Sequence, residues 1–144
     1  MNGAQVDVAL YWKEGATDKI WEQAMPLLAP AVERSHGMYS VDVIRQCVAT
    51  GQMQLWFLEQ AGTVTALAVT EIVRFATGIQ VLMVPIVTGE DIDQILSFAP
   101  KLETVARNLN CQWVRSWARD GWVKKLKPLG WTSDHRLVEK DLRQ

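Results

Sequence analysis

Apolar residues first alternate with polar or small ones, at Val6, Val8 and Leu10, which predicts an opening strand ending near Trp12. After a turn through Glu14, Gly15, Ala16 and Thr17 the period changes. Ile20, Ala24, Leu27, Leu28 and Ala31 recur at helical spacing, with Thr17 or Asp18 in the N-cap position. Pro26 and Pro30 predict a kink or an early end, because a proline inside a helix removes a donor and crowds the preceding turn. Ser40 caps a second helix with the apolar stripe Val41, Ile44, Cys47 and Val48, and Gly51 is placed to stop it.

Beyond Gly51 the pattern becomes that of strands. Residues 53–60 and 63–74 are β-rich runs joined through Ala61 and Gly62, a hairpin signal. A turn at residues 76–78 leads to a third run, 79–86, so uniformly apolar (Val81, Leu82, Met83, Val84) that it predicts a strand covered on both faces. Thr88, Gly89, Glu90 and Asp91 open a helical stretch carrying Ile92, Ile95, Leu96, Ala99, Leu102, Ala106 and Leu109, with a break near Pro100. A strand over 111–117, a short helix over 120–127, a stop at Pro128-Leu129-Gly130 and a closing strand over 136–142 complete the chain. The order β-α-α-β-β-β-α-β-α-β is an α+β pattern around a mostly antiparallel sheet.

The chain has 144 residues, 49% of them hydrophobic and 22% charged, with a net charge of -1. That length matches one domain spanning 1–144, and the composition excludes disorder. Near-neutral charge excludes the broad field that non-specific nucleic-acid binding uses, and no sequence-specific nucleic-acid partner is expected. No apolar run spans a bilayer, and residues 1–7 lack the basic and apolar regions of a secretory signal, so neither membrane insertion nor secretion is expected. Cys47 and Cys111 form no disulfide framework and point to a reducing compartment.

The element order, together with local sequence near the C-terminal end, resembles the GNAT fold of acyl-CoA-dependent N-acetyltransferases. A strand followed by Arg119-Asp120-Gly121-Trp122, a short helix, Leu126 and then Leu129-Gly130-Trp131 is similar to that family's fourth helix and its step into the last hairpin. With Gly51-Gln52-Met53-Gln54-Leu55-Trp56 the resemblance is to the small GNAT-like proteins of tailed bacteriophages. It implies a mostly antiparallel mixed sheet of about six to seven strands flanked by about four helices.

In active members of that family the turn after the fourth strand carries Gln/Arg-x-x-Gly-x-Gly/Ala, whose backbone donors and following helix hold the CoA diphosphate. Here the matching stretch is Val84, Pro85, Ile86, Val87, Thr88, Gly89, Glu90 and Asp91, with one glycine and two carboxylates. Like charges repel a diphosphate, whereas Glu90 and Asp91 suit a helix start in their own right. Active members often use a tyrosine of the fourth helix as general acid, and Tyr11 and Tyr39 are both far from it in sequence. These departures favour a non-catalytic structural or adaptor protein of a phage virion, at the head–tail junction or a tail-fibre attachment, without cofactor. Its partners are other virion proteins or further copies of itself, in the virion or the host cytoplasm. The alternative is an acetyl-CoA-dependent N-acetyltransferase acting on a protein or small-molecule amine. The cofactor would then lie along Val84, Ile86, Thr88, Gly89, Glu90 and Asp91, with Glu71 as the first candidate base.

Other groupings have plainer readings. Glu71 on the solvent face of a sheet is an ordinary carboxylate, or a general base if it faces a cleft. Cys111 with His135, and Cys47 with His36, can be drawn as nucleophile and base, but both thiols sit on apolar stripes as buried structural cysteines do. The two histidines have no ligand-spaced partners for a metal. Arg115, Arg119, Lys124, Lys125 and Lys127 form a basic cluster, either a phosphate contact or a solvated helix end. Trp56 and Trp113 are expected in the core, and Trp12, Trp117, Trp122 and Trp131, at element ends, are candidate partner anchors.

Overall fold

The computed structural model describes residues 7–12 by their backbone and residues 18–89, 91–118 and 120–143 with their side chains. The elements run β1 (Asp7–Trp12), α1 (Asp18–Glu33), α2 (Val41–Thr50), β2 (Met53–Gln60), β3 (Thr63–Arg74), β4 (Gln80–Gly89), α3 (Ile92–Leu96), α4 (Phe98–Asn108), β5 (Trp113–Ser116) and α5 (Asp120–Leu126). A 3₁₀ turn, Lys127–Leu129, follows α5. The strands form one sheet in the order β1-β2-β3-β4-β5, antiparallel except for the parallel β4–β5 pair.

Two local rules decide most boundaries. The Ser40 hydroxyl accepts from the Val43 amide at 3.1 Å, and Gly51 ends α2 at a φ of 84°. The β2–β3 hairpin turns at Ala61 and Gly62, both left-handed, the geometry whose twist matches the strands it joins.

Three boundaries differ from those predicted. α1 continues for 16 residues through both prolines and so does not end early. Pro26 and Pro30 both lie on its exposed side, where the carbonyls they leave without a donor face water. Each interior proline costs about 3 kcal/mol. Burying Trp21 and Leu28, with Ile20 and Leu27 packed beside them, returns roughly 1.5–3 kcal/mol per large side chain, enough to offset it. The break predicted at Pro100 falls at Ser97, between α3 and α4, because Pro100 in the first turn of α4 needs no intrahelical donor. The predicted closing strand over 136–142 is not formed: among the described residues, 131–143 enter no ladder, and the sheet has five strands instead of six to seven. Arg143 Nη1 donates to the His36 carbonyl at 3.0 Å, so the end of this segment is tied to the α1–α2 loop and not to β5.

The sheet is covered on both faces. α1 and α2 bury Trp21, Leu28, Ile44 and Val48 against Leu55, Phe57, Leu67 and Val69. On the opposite face Ile95 of α3 and Phe98, Leu102 and Ala106 of α4 pack on Trp56, Leu58, Leu82 and Val84. Inside that second layer the Trp56 Nε1–H donates to Thr70 Oγ1 at 3.0 Å, and Thr70 donates onward to Gln54 Oε1 at 2.8 Å. The three polar groups satisfy one another, which is what lets Gln54 and Thr70 stay buried.

Gly89 ends β4 opposite Ala66. A Cβ built there would lie 2.7 Å from Ala66 Cβ and 3.1 Å from Ile95 Cγ1, so the close seat of α3 against β3 depends on this residue having no side chain. Gly89→Ala is expected to destabilise the protein by about 1–3 kcal/mol, the usual cost of overpacking. Adding Ala66→Gly to it should recover part of that loss, as measured by urea unfolding.

Candidate active site

The β3–β4 register places Val69 opposite Ile86 but Glu71 opposite Met83, so β4 carries one more residue than β3 over this interval. The extra residue falls at Val84–Pro85. Proline cannot donate to a ladder, and a bulge is one of the few sheet positions that tolerates it. The consequence shows in the alternation of faces. Leu82 and Val84 pack with α4, whereas Ile86, of the same parity, packs with α1.

On its other side β4 parts from β5 at the same place. The parallel pairs run from Val81–Trp113 to Val84–Ser116 and stop, and the Ser116 hydroxyl donates to the Val84 carbonyl at 2.9 Å. From Pro85 to Gly89, β4 pairs with β3 alone among the described residues. Beyond Val84 the β5-side edge of β4, from Pro85 to Gly89, has no ladder partner among the described residues.

Just before the bulge, Glu71 lies two residues after Val69, on the face covered by α1 and α2, with Met53 and Met83 as its cross-strand neighbours. It is partly exposed. Tyr39, in the α1–α2 loop, packs on the same layer. Burial pushes the Tyr39 phenol above its ordinary range, and the negative charge of Glu71 pushes it further. Tyr39 is thus a neutral hydroxyl beside a carboxylate. The nearby loop is tightly wound, with His36 and Gly37 both left-handed. Arg143 holds Asp141 through both carboxylate oxygens while it donates to the His36 carbonyl, and the guanidinium keeps the Asp141 carboxyl below its usual range.

The other sequence candidates divide. Val84 and Ile86 have buried side chains, and Gly89 is packed on Ala66, so these positions can offer a ligand only backbone. Thr88 and Gly89 belong to β4 and do not open the helix; the helix start lies at Asp91, whose carboxylate accepts from the Asp93 amide at 2.9 Å. Glu90, Arg119 and the side chain of Trp12 fall outside the described residues. Trp113, expected in the core, is instead 54% exposed: it alternates with Val114, which packs on the α4 layer, and so faces the other side of the sheet, where α1 and α2 bury no β5 side chain among the described residues. Its ring lies under the Arg115 guanidinium, 5.8 Å away. Trp117 is also 54% exposed, whereas Trp122 packs on the α4 layer and Trp131 is half-buried. Cys111 is buried and its thiol is pushed up by burial, which opposes a nucleophilic role. Cys47 Sγ donates to Gln52 Oε1 at 3.5 Å. Among the described residues no three His, Cys, Asp or Glu side chains are grouped to hold a metal ion, and no helix is long and apolar enough to cross a membrane. Two members of the site were absent from the sequence candidates. Pro85 was signalled by its place inside an apolar strand run; for Tyr39 beside Glu71 no local signal existed.

No family model and no curated protein sequence matches the chain. Solved structures do match along nearly its whole length. An aminoglycoside N-acetyltransferase in complex with CoA superposes with a TM-score of 0.74 at 11% identity, over 99% of this chain and 98% of that one. A ribosomal-protein-alanine N-acetyltransferase from Brucella melitensis gives 0.71 at 12%, over 96% and 99%. A Trypanosoma brucei acetyltransferase gives 0.73 at 11%, over 96% and 100%. The chain has the GNAT fold. These neighbours overturn the reading of a non-catalytic virion adaptor: they are mainly acetyltransferases, and nothing in them carries the phage association.

The Tyr39–Glu71 pair can be checked by its titration. Ultraviolet titration, with Tyr39→Phe to isolate the signal, should place the Tyr39 phenol above the ordinary value of 10.0. Glu71→Gln removes the negative charge that opposes ionisation, so it should lower the Tyr39 value. Burial is the larger cause and remains, so the value should stay above the ordinary one.

Proposed function

We propose that the protein is an acyl-CoA-dependent N-acyltransferase. The observation that carries this reading is the end of β4–β5 pairing at the Val84–Pro85 bulge, which leaves the β5-side edge of β4 without a strand partner among the described residues. An extended arm bearing amides fits such an edge as an added strand would, through main-chain donors and acceptors. The phosphate end fits less well at the start of α3, because the Asp91 carboxylate already occupies the Asp93 amide and would repel a diphosphate. The arm is therefore assigned to the backbone from Pro85 to Gly89, and no phosphate is assigned to α3.

When bound, acetyl-CoA supplies an acetyl thioester. Glu71 receives the proton that an acceptor ammonium must lose before its nitrogen can attack a carbonyl, the general-base role that a partly exposed carboxylate can perform. The neutral Tyr39 hydroxyl is a donor on the same side of the sheet, held in that state by burial and by Glu71. The acceptor is an amine, reaching the site from the α1–α2 loop side. The GNAT neighbours titled for aminoglycoside and ribosomal-protein acetylation support this class of chemistry.

Calorimetry should show saturable binding of acetyl-CoA, and thiol release should be detected with a panel of amines. Glu71→Gln should lower kcat/KM by about 10²–10⁴-fold while leaving acetyl-CoA affinity within a few-fold. Absence of both binding and thiol release would overturn the assignment.

A further inference from the structure

We infer that the acceptor is an amine carrying a carboxylate, and that the Arg115 guanidinium holds this carboxylate while the amine lies at Glu71. The inference rests on the acyltransferase reading and names the class of its acceptor. Its ground is the register of three strands. Glu71 pairs with Met83, and Met83 pairs with Arg115, so the three stand in one row on the face of the sheet that α1 and α2 occupy. Neighbouring strands lie roughly 4.8 Å apart, which puts the Glu71 and Arg115 backbones about 10 Å from each other. The α1–α2 layer buries side chains of β2, β3 and β4, but none of β5 among the described residues. The β5 end of the row is therefore open. Met83 lines a cleft of about 1160 Å³ there, together with Trp113, Arg115 and Trp117.

Arg115 is placed to take an anion. Its guanidinium makes neither an ion pair nor a hydrogen bond among the described residues, and it lies over the Trp113 ring at 5.8 Å. Stacking engages the flat face of a guanidinium and leaves the N–H fork in its plane free for two-point contact with a carboxylate. The exposed indoles of Trp113 and Trp117 offer apolar wall to the body between amine and carboxylate. Overall charge does not select the ligand, because Arg107, Arg115 and Arg136 in the cleft lining are matched by Glu103, Asp120 and Asp134. Position decides instead, and of these groups Arg115 alone shares the row of Glu71. A polycationic amine is repelled by that guanidinium. An extended tripeptide, at about 3.3–3.6 Å per residue, reaches from Glu71 to Arg115 with its two termini.

Triglycine and triglycinamide, alike except at the carboxyl end, are the probes. With acetyl-CoA, kcat/KM should favour triglycine by about ten- to a hundredfold, mainly through KM, the loss expected when a charged hydrogen-bonding partner is missing. Arg115→Ala should bring the ratio near one, and Arg115→Glu should favour the amide. Arg115→Lys should keep part of the preference, since lysine supplies the charge without the fork. Arg115 is exposed, so all three variants should keep the far-UV spectrum and melting temperature of the parent. A ratio near one in the unaltered protein would overturn the inference and leave the acyltransferase reading intact, as would a preference that survives Arg115→Ala. NMR titration with each peptide, without acetyl-CoA, separates the two readings. Binding of triglycine alone, lost in Arg115→Ala, supports the carboxylate site even where acyl transfer is absent, and the acyltransferase reading then falls by itself. Neither binding nor turnover of either peptide overturns the inference.

Discussion

One extra residue in β4 governs the architecture around the site. Pro85 brings no amide to a ladder, and the bulge at Val84–Pro85 absorbs that deficit on the β3 side while ending the β5 pairing on the other. The same insertion reverses which face the later residues of β4 present, so Ile86 joins the α1 layer and the strand reaches Gly89 close against Ala66. The change of face along β4 and the close approach at Gly89, where no side chain fits, both follow this register shift.

Much of the fold was legible from period and punctuation. Ser40 and Gly51 delimit α2, Ala61 and Gly62 close the hairpin, and the apolar run of β4 identifies a strand covered on both faces. These signals are local, and local rules read them. What stayed hidden was decided by tertiary context. Pro26 and Pro30 read as helix breakers until their exposed side of α1 is known. The alternation over 136–142 is a sound strand signal, yet a strand needs an edge within reach, and Arg143 binds the segment's end elsewhere. Trp113 read as core because a strand tryptophan usually is, whereas α1 and α2 bury no side chain on its face of β5 among the described residues. The candidate site was half legible: Glu71 was visible as a carboxylate on a strand, but its closeness to Tyr39 joins a loop to a sheet 32 residues further along the chain.

The acidic start of α3 weighed toward a non-catalytic chain, the reading that the acetyltransferase neighbours overturn. Asp91 does cap that helix with its own carboxylate, and a diphosphate there meets a like charge. That expectation weighed one anchoring point, whereas the proposed acyl-CoA surface also runs along β4. Backbone along β4 carries no charge and is unaffected by Asp91, so an amide-bearing arm and a diphosphate are separable requirements. The solved neighbours share the GNAT fold, and the acyltransferase chemistry proposed for this chain rests on its own residues.

The most direct test is a backbone amide NMR titration with acetyl-CoA, read residue by residue. The account predicts that the largest shifts and the strongest new exchange protection fall on the β4 amides of residues 86–89 and on β5 near Ser116, with smaller changes across α4. Shifts confined to α5 and residues 131–137, with β4 unchanged, would contradict it.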